Sequence, residues 1–235
     1  MRTHQGPNLP YSVVAGVTPI SSGWLVASAK LRGATFAPEE ALLCQSFREV
    51  LDVRPSFTIV VVNVPIGYLD VPSADQRTCD REAQALLGHR SSVVPDAPTR
   101  SSLFGNVDDD GNSRVDDGYL LQRYREAASE ISPSNQRMVY EGNPELSFYQ
   151  LNGYESLRWS SDSDEGREER RAMLDLKIPG VRRVLDTEMT DIQQTELQDV
   201  VALLWTARRV FGHSATRLPS DGEWDSEGLR MELVM

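Results

Sequence analysis

The chain reads as a mixed α/β protein built on a central β-sheet, and three observations carry that reading. Two apolar runs, Tyr11–Val17 and Trp24–Leu31, flank a Ser21-Ser22-Gly23 turn and read as a β-hairpin. Phe57-Thr58-Ile59-Val60-Val61-Val62-Asn63 is apolar on both alternating faces, the pattern of a strand buried inside a layered sheet. Thr195–Phe211 places Leu197, Val200, Val201, Leu204, Trp205 and Val210 on one side of a long helix.

The remaining elements follow in order. The first run is expected to break at Thr18-Pro19. Pro38-Glu39-Glu40 opens a stretch with Ala41, Leu42, Cys44, Phe47, Val50 and Leu51 at helical spacing, which predicts a helix. Cys79–Leu87 reads as a short helix closed by Gly88. Residues 93–117 read as a loop insertion, and Gly118–Ile131 as a helix that stops before Pro133. A short strand is expected at Met138–Tyr140, an exposed loop at Ser160–Arg171 leading into a helix at Ala172-Met173-Leu174, and a closing strand at Leu229–Val234. The expected organisation is a polar tail over residues 1–10 and one domain over 11–235.

At 235 residues the chain can bury a core without metal or disulfide staples. It carries 24 basic and 35 acidic residues, a net charge of -11, so its surface as a whole repels polyanions. Broad coating of nucleic acid is thereby disfavoured, whereas a local cationic groove or a bound metal ion still leaves nucleic acid or a nucleotide open as a partner, with a protein partner as the alternative. No apolar run approaches the length of a membrane span and Met1–Pro10 is polar, so the expected location is cytoplasmic. Cys44 and Cys79 have no metal spacing and read as reduced thiols. His4, His89 and His213 are far apart and give no nucleophile triad. Trp24 and Trp205 fall on apolar faces and read as core.

A set of motifs along the chain resembles one bacterial family. It begins with Ala15-Gly16-Val17-Thr18-Pro19-Ile20-Ser21-Ser22-Gly23-Trp24-Leu25 and continues through Val64-Pro65-Ile66-Gly67 and Arg77-Thr78-Cys79-Asp80. Leu87-Gly88-His89-Arg90-Ser91-Ser92, Pro98 with Arg100, and Glu141–Phe148 follow, then Gly166 with Arg170, Asp199 before Trp205, and Gly228–Glu232. In these blocks the chain resembles the family called domain of unknown function 429, predicted nucleases with an RNase H-like fold. The resemblance implies phosphodiester cleavage in which carboxylates hold Mg²⁺ or Mn²⁺. It also implies that acids belong at two strand ends where this chain has Thr18 and Asn63, and a histidine where it has Asn143. Lysines of the family pattern fall at Ser161 and Asp162, and an acidic pair opening the last helix is reduced to Thr195 and Glu196.

Thr and Asn are neutral oxygen donors that supply no negative charge to a hard divalent ion. Two readings therefore stand side by side: a degraded metal-dependent phosphodiesterase, and a non-catalytic binding or regulatory protein on the same scaffold. In the first, Asp80, Glu141, Glu145 and Asp199 are the surviving catalytic acids, with Asp199 and Glu145 as metal ligands. Arg77, Arg90 and Arg100 around Ser91 and Ser92 would then form a phosphate cradle. In the second, Asp80 caps its helix, Glu145 pairs with an arginine, and the other arginines make salt bridges. Asn106–Asp117 also carries a partial calcium-loop pattern at Asn106, Asp108, Asp110, Gly111 and Asp117, for which a solvated acidic loop is the plainer reading.

Overall fold

The computed structural model describes residues 10–71, 76–105 and 118–235. The polar tail and the calcium-loop pattern at 106–117 lie outside these residues. The chain runs β1 (Ser12–Ile20), β2 (Gly23–Arg32), β3 (Thr35–Pro38), β4 (Leu42–Cys44), α1 (Phe47–Asp52), β5 (Ile59–Val62) and α2 (Thr78–Leu87). A 3-10 turn (Gly88–Val93) follows, then α3 (Arg100–Phe104), α4 (Gly118–Glu130), β6 (Val139–Gly142), α5 (Pro144–Leu151) and α6 (Asp164–Lys177). The last elements are α7 (Arg182–Leu185), α8 (Gln194–Phe211), β7 (Arg217–Leu218) and β8 (Leu233–Val234).

The described strands form one sheet in the order β3-β2-β1-β5-β6-β8-β7, with β4 also on β2. β1, β2 and β3 are antiparallel, and β5, β6 and β8 continue from β1 in parallel. This is the mixed sheet flanked by helices that the sequence predicts, an antiparallel meander extended by parallel strands. One face packs Val14, Ile20 and Val61 against Val200, Leu203 and Leu204 of α8, with α6 and α7 outside. The other packs Val13, Ala15, Val17 and Val60 against Phe47 and Val50 of α1 and Ala127 of α4. Alternation along β1 thus sends successive residues to two different cores, as period-two geometry requires. On the second face a carboxylate anchors three elements: Glu126 of α4 accepts from Trp24 Nε1 at 3.1 Å and from the Phe47 backbone N–H at 2.6 Å, and meets Arg123 at 3.1 Å.

Four expectations need correcting. β1 does not stop at Thr18-Pro19; it runs on to Ile20, with Pro19 opposite Trp24. The helix expected from Pro38 is delayed to Phe47, because Leu42–Cys44 instead pairs antiparallel with Trp24–Val26, and Ser46 caps the shortened helix by accepting from the Glu49 N–H at 3.2 Å. α6 begins at Asp164, inside the stretch read as an exposed loop, since Ser163 caps it and Asp164 and Glu165 favour its positive end. The closing strand is reduced to Leu233–Val234, while Arg230 forms a lone bridge with Trp224. β3, α3 within 93–117, α5 after β6, α7 and β7 have no counterpart in the sequence reading and add to the fold.

Gly16 is the tightest point between sheet and helix. A Cβ there would lie 2.3 Å from both Leu204 N and Val200 O of α8, so any side chain forces strand and helix apart. We expect Gly16→Ala to destabilise the protein by about 3 kcal/mol, read as a fall of roughly 6–12 °C in melting temperature.

Candidate functional site

The parallel register Val17↔Val62 and Val62↔Glu141 brings the ends of β1, β5 and β6 level. Thr18, Asn63 and Asn143 therefore stand side by side at one end of the sheet, the place where parallel α/β sheets bind ligands. The first turns of α8 cross this end and bring Glu196 and Asp199 to it. The result is a cleft of about 340 Å³, whose walls also include Glu145 of α5, Ser161, and Tyr119 and Tyr124 of α4.

Each neutral residue at the strand ends has a different local use. Asn143 is the N-cap of α5: its Oδ1 accepts from the Glu145 and Leu146 N–H groups at 2.9 and 3.3 Å, with Pro144 at the first helical position. Its Nδ2 donates to the Val93 carbonyl at 3.3 Å. Thr18 is buried, with 5% exposure, and its hydroxyl makes no hydrogen bond among the described residues. The Asn63 backbone N–H donates to Val17 O at 2.9 Å, while its side-chain amide makes no hydrogen bond among the described residues.

The four acids expected to act together are divided. Glu145 and Asp199 line the cleft; Asp80 and Glu141 belong to a closed ion cluster beside it. There, Arg77 donates from Nε and Nη2 to Asp80 at 2.9 and 2.6 Å, and from Nη1 and Nη2 to Glu141 at 2.9 and 2.6 Å. Arg77 also donates to the Ile66 and Gly67 carbonyls at 3.2 and 3.1 Å. Glu141 accepts the Ile66 N–H at 2.6 Å and Asp80 accepts the Ala97 N–H at 3.2 Å. All three side chains are buried. Burial pushes the Glu141 carboxyl up, to about 7, against the opposing pull of Arg77. The cluster ties α2 and the segment after β5 to β6.

Glu145 is held as firmly. Arg90 donates to its Oε2 and Oε1 at 3.3 and 3.0 Å, and the fully buried Arg170 pairs with the same Oε1. Both arginines also donate to the Trp159 carbonyl at 3.2 Å, and Arg170 stacks over Phe148 at 5.3 Å. Asp199 differs from the other three acids, for its carboxylate has neither a hydrogen bond nor an ion pair among the described residues. Burial and the nearby Glu145 raise it to about 7, with Glu196 and Asp162 adding to the rise and Arg170 opposing it.

The expected phosphate cradle is not assembled. Arg77 and Arg90 are engaged as described, and Arg100 pairs with the buried Asp225 at 2.6 Å and with Glu227 at 2.7 Å. Ser91 and Ser92 sit in the 3-10 turn and do not line the cleft. No group of three or more His, Cys, Asp or Glu side chains that could hold a metal ion occurs among the described residues. The donor chemistry agrees, because Glu145 already spends its oxygens on two guanidinium groups and the strand-end oxygens are uncharged. The residues present do not fit a two-ion centre. Cys44 and Cys79 are buried free thiols, both raised by burial, Cys44 to about 11.

The sequence reading did not reach Tyr119 and Tyr124 as cleft residues, or Arg170 as the second partner of Glu145. The start of α6 at Ser163-Asp164-Glu165 was the signal for Arg170, because it sets which side of the helix that residue occupies.

Two outcomes follow from this geometry. Arg77→Ala leaves Asp80 and Glu141 buried together without a cation, and should cost about 3–5 kcal/mol in urea unfolding. Asp199 holds its proton more tightly in the folded chain than at its ordinary value of 3.8. Its contribution to stability is thus full below about pH 4 and lost as pH rises through 7. Asp199→Asn should therefore melt higher than the unaltered protein at pH 8, by about 1–2 kcal/mol, with the gap closing near pH 4.

The family described as protein of unknown function (DUF429) matches residues 16–223. Among solved structures, that of Thermus thermophilus RuvC is similar with a TM-score of 0.37 and 16% identity, over 86% of this chain and 97% of that one. T. thermophilus RuvC in complex with Holliday junction substrate gives a TM-score of 0.35 at 16% identity over the same shares. No curated protein matches in sequence. No helix among the described residues is long and apolar enough to cross a membrane. With the family's match running from the first strand to the segment before the last, the chain belongs to the protein of unknown function (DUF429) family.

Proposed function

We propose that this protein is a binding protein on a nuclease-type scaffold whose metal-dependent phosphodiesterase chemistry is lost or vestigial, working as one domain over residues 11–235 in the cytoplasm. The observation that carries the reading is the state of Glu145. A carboxylate shared between Arg90 and Arg170 has its charge compensated inside the protein, so it cannot also provide the negative field that holds a divalent ion. With Thr18 and Asn63 at the ends of β1 and β5, Asp199 is the sole cleft acid at these strand ends that lacks a bonded partner among the described residues.

That free carboxylate favours a second reading, residual hydrolysis through one weakly held Mg²⁺ or Mn²⁺ ion at Asp199. One carboxylate with neutral oxygens and water is a weak donor set for either ion. The first reading also accounts for the arginines, whose pairing would have to break for Glu145 to join a metal.

Calorimetric titration separates the two. Mg²⁺ and Mn²⁺ should give no saturable heat up to millimolar concentration, and the protein should leave single- and double-stranded DNA and RNA uncut. The double variant Thr18→Asp/Asn63→Asp places two carboxylates beside Asp199 and should gain saturable Mn²⁺ binding. Saturable binding to the unaltered protein that disappears in Asp199→Ala, together with metal-dependent cleavage, would overturn the proposal.

A further inference from the structure

We infer that the cleft receives a protonated amine or a guanidinium group, with Asp199 as its counter-ion and the Thr18 hydroxyl and Asn63 amide oxygen as neutral acceptors. The inference rests on the proposed reading in which no divalent ion fills the cleft, and it names the ligand class for that same site.

Charge is the first argument. No Lys, Arg or His side chain lines the cleft among the described residues, whereas Glu145, Glu196 and Asp199 all do. Arg90 and Arg170 compensate Glu145 from behind, and Glu196 accepts the Gln193 N–H at 2.6 Å in the capping box of α8. Glu196 and Asp199 have no cationic partner among the described residues, and Asp199 has no hydrogen-bond donor either. A phosphate entering here would meet carboxylates and find no basic side chain in the lining, so the field repels the ligand that a nuclease scaffold suggests.

The second argument is independent of the acids. Thr18 is 5% exposed and lines the cleft, and its hydroxyl has no hydrogen-bond partner among the described residues. Its oxygen is not among the fully enclosed polar atoms, so it opens to the cleft and is free to accept from a ligand there. An ammonium or guanidinium brings several N–H donors on one positive charge. One carboxylate and two neutral oxygens match that donor set, while a divalent ion demands more charged oxygens than this. Tyr119 and Tyr124 line the same cleft, and aromatic residues are suited to organic cations.

The chemistry has two sources, a small free amine or a Lys or Arg side chain of another protein, and the test separates them. n-Butylammonium and methylguanidinium chlorides are titrated into the full chain at pH 8 and followed by nuclear magnetic resonance shifts, against n-butanol and sodium phosphate. Both cations should saturate, with neither butanol nor phosphate doing so. Asp199→Asn should weaken the cations by about tenfold or more, and Thr18→Val by about threefold, each variant being checked for an unaltered cooperative melt. Acetyl-Gly-Lys-Gly-amide binding tighter than n-butylammonium points to a protein side chain, and weaker binding points to a free amine. Equal binding of butanol, or cation binding indifferent to both substitutions, overturns the inference. Absence of cation binding with no divalent binding either overturns it while leaving the proposed function standing, whereas saturable Mn²⁺ binding by the unaltered protein overturns both.

Discussion

At Gly16 the backbone of α8 occupies the space that a side chain would need, with Val200 O and Leu204 N each 2.3 Å from the position of a Cβ. Strand and helix consequently share one fixed distance and register. Two residues further along β1, Thr18 points to the same side as Gly16, and one residue before Val200 on α8 stands Asp199. The contact at Gly16 thus sets the separation of the two residues that define the cleft, and β5 and β6 follow because their parallel register is read from β1. Everything at this end of the sheet inherits its geometry from a close approach that only the smallest residue allows.

Around that frame, arginines determine what the acids can do. Arg77 closes Asp80 and Glu141 into a buried cluster, Arg90 and Arg170 bracket Glu145, and Arg100 holds Asp225. Forked guanidinium groups suit this work because each meets two acceptors in one plane. Such pairs add little net stability compared with an apolar core, yet they are expensive to break from one side. They therefore act as locks on geometry. The net charge of -11 consequently says little about the sheet end itself, where most of the carboxylates have been matched internally.

The parts of this fold that were legible in the sequence are those whose pattern is local. The hairpin, β5, α2, α4 and α8 each carry a period or a cap that needs no distant partner. β4 was not legible, since Leu42–Cys44 is a strand only because β2 offers it an edge; its helical spacing continues into α1 and disguised the change. α5 and α6 were signalled by Asn143-Pro144-Glu145 and by Ser163-Asp164-Glu165, but polar residues at a helix start resemble a loop until the cap is recognised. At the site, the resemblance marked Thr18, Asn63 and Asn143 as altered positions, and they do meet. The division of the acids was not legible, because Arg77 and Glu141 lie 64 residues apart and Arg90 and Glu145 lie 55 apart. Sequence order carries no record of which guanidinium reaches which carboxylate.

Neutral residues at the strand ends have a direct consequence for the electrostatics of the cleft. Four or five carboxylates converging on one sheet end repel each other and are stable only with a cation among them. Thr18 and Asn63 bring no charge to this end, and Arg90 and Arg170 compensate Glu145. What remains is Asp199, and its rise to about 7 reflects its burial first and the residual repulsion from Glu145, Glu196 and Asp162 second. A sheet end of this composition has less repulsion for a cation to offset, so a cation there acts as a ligand and not as a structural requirement. The proposed binding role needs a cleft of that kind, one that does not depend on an ion for its own cohesion.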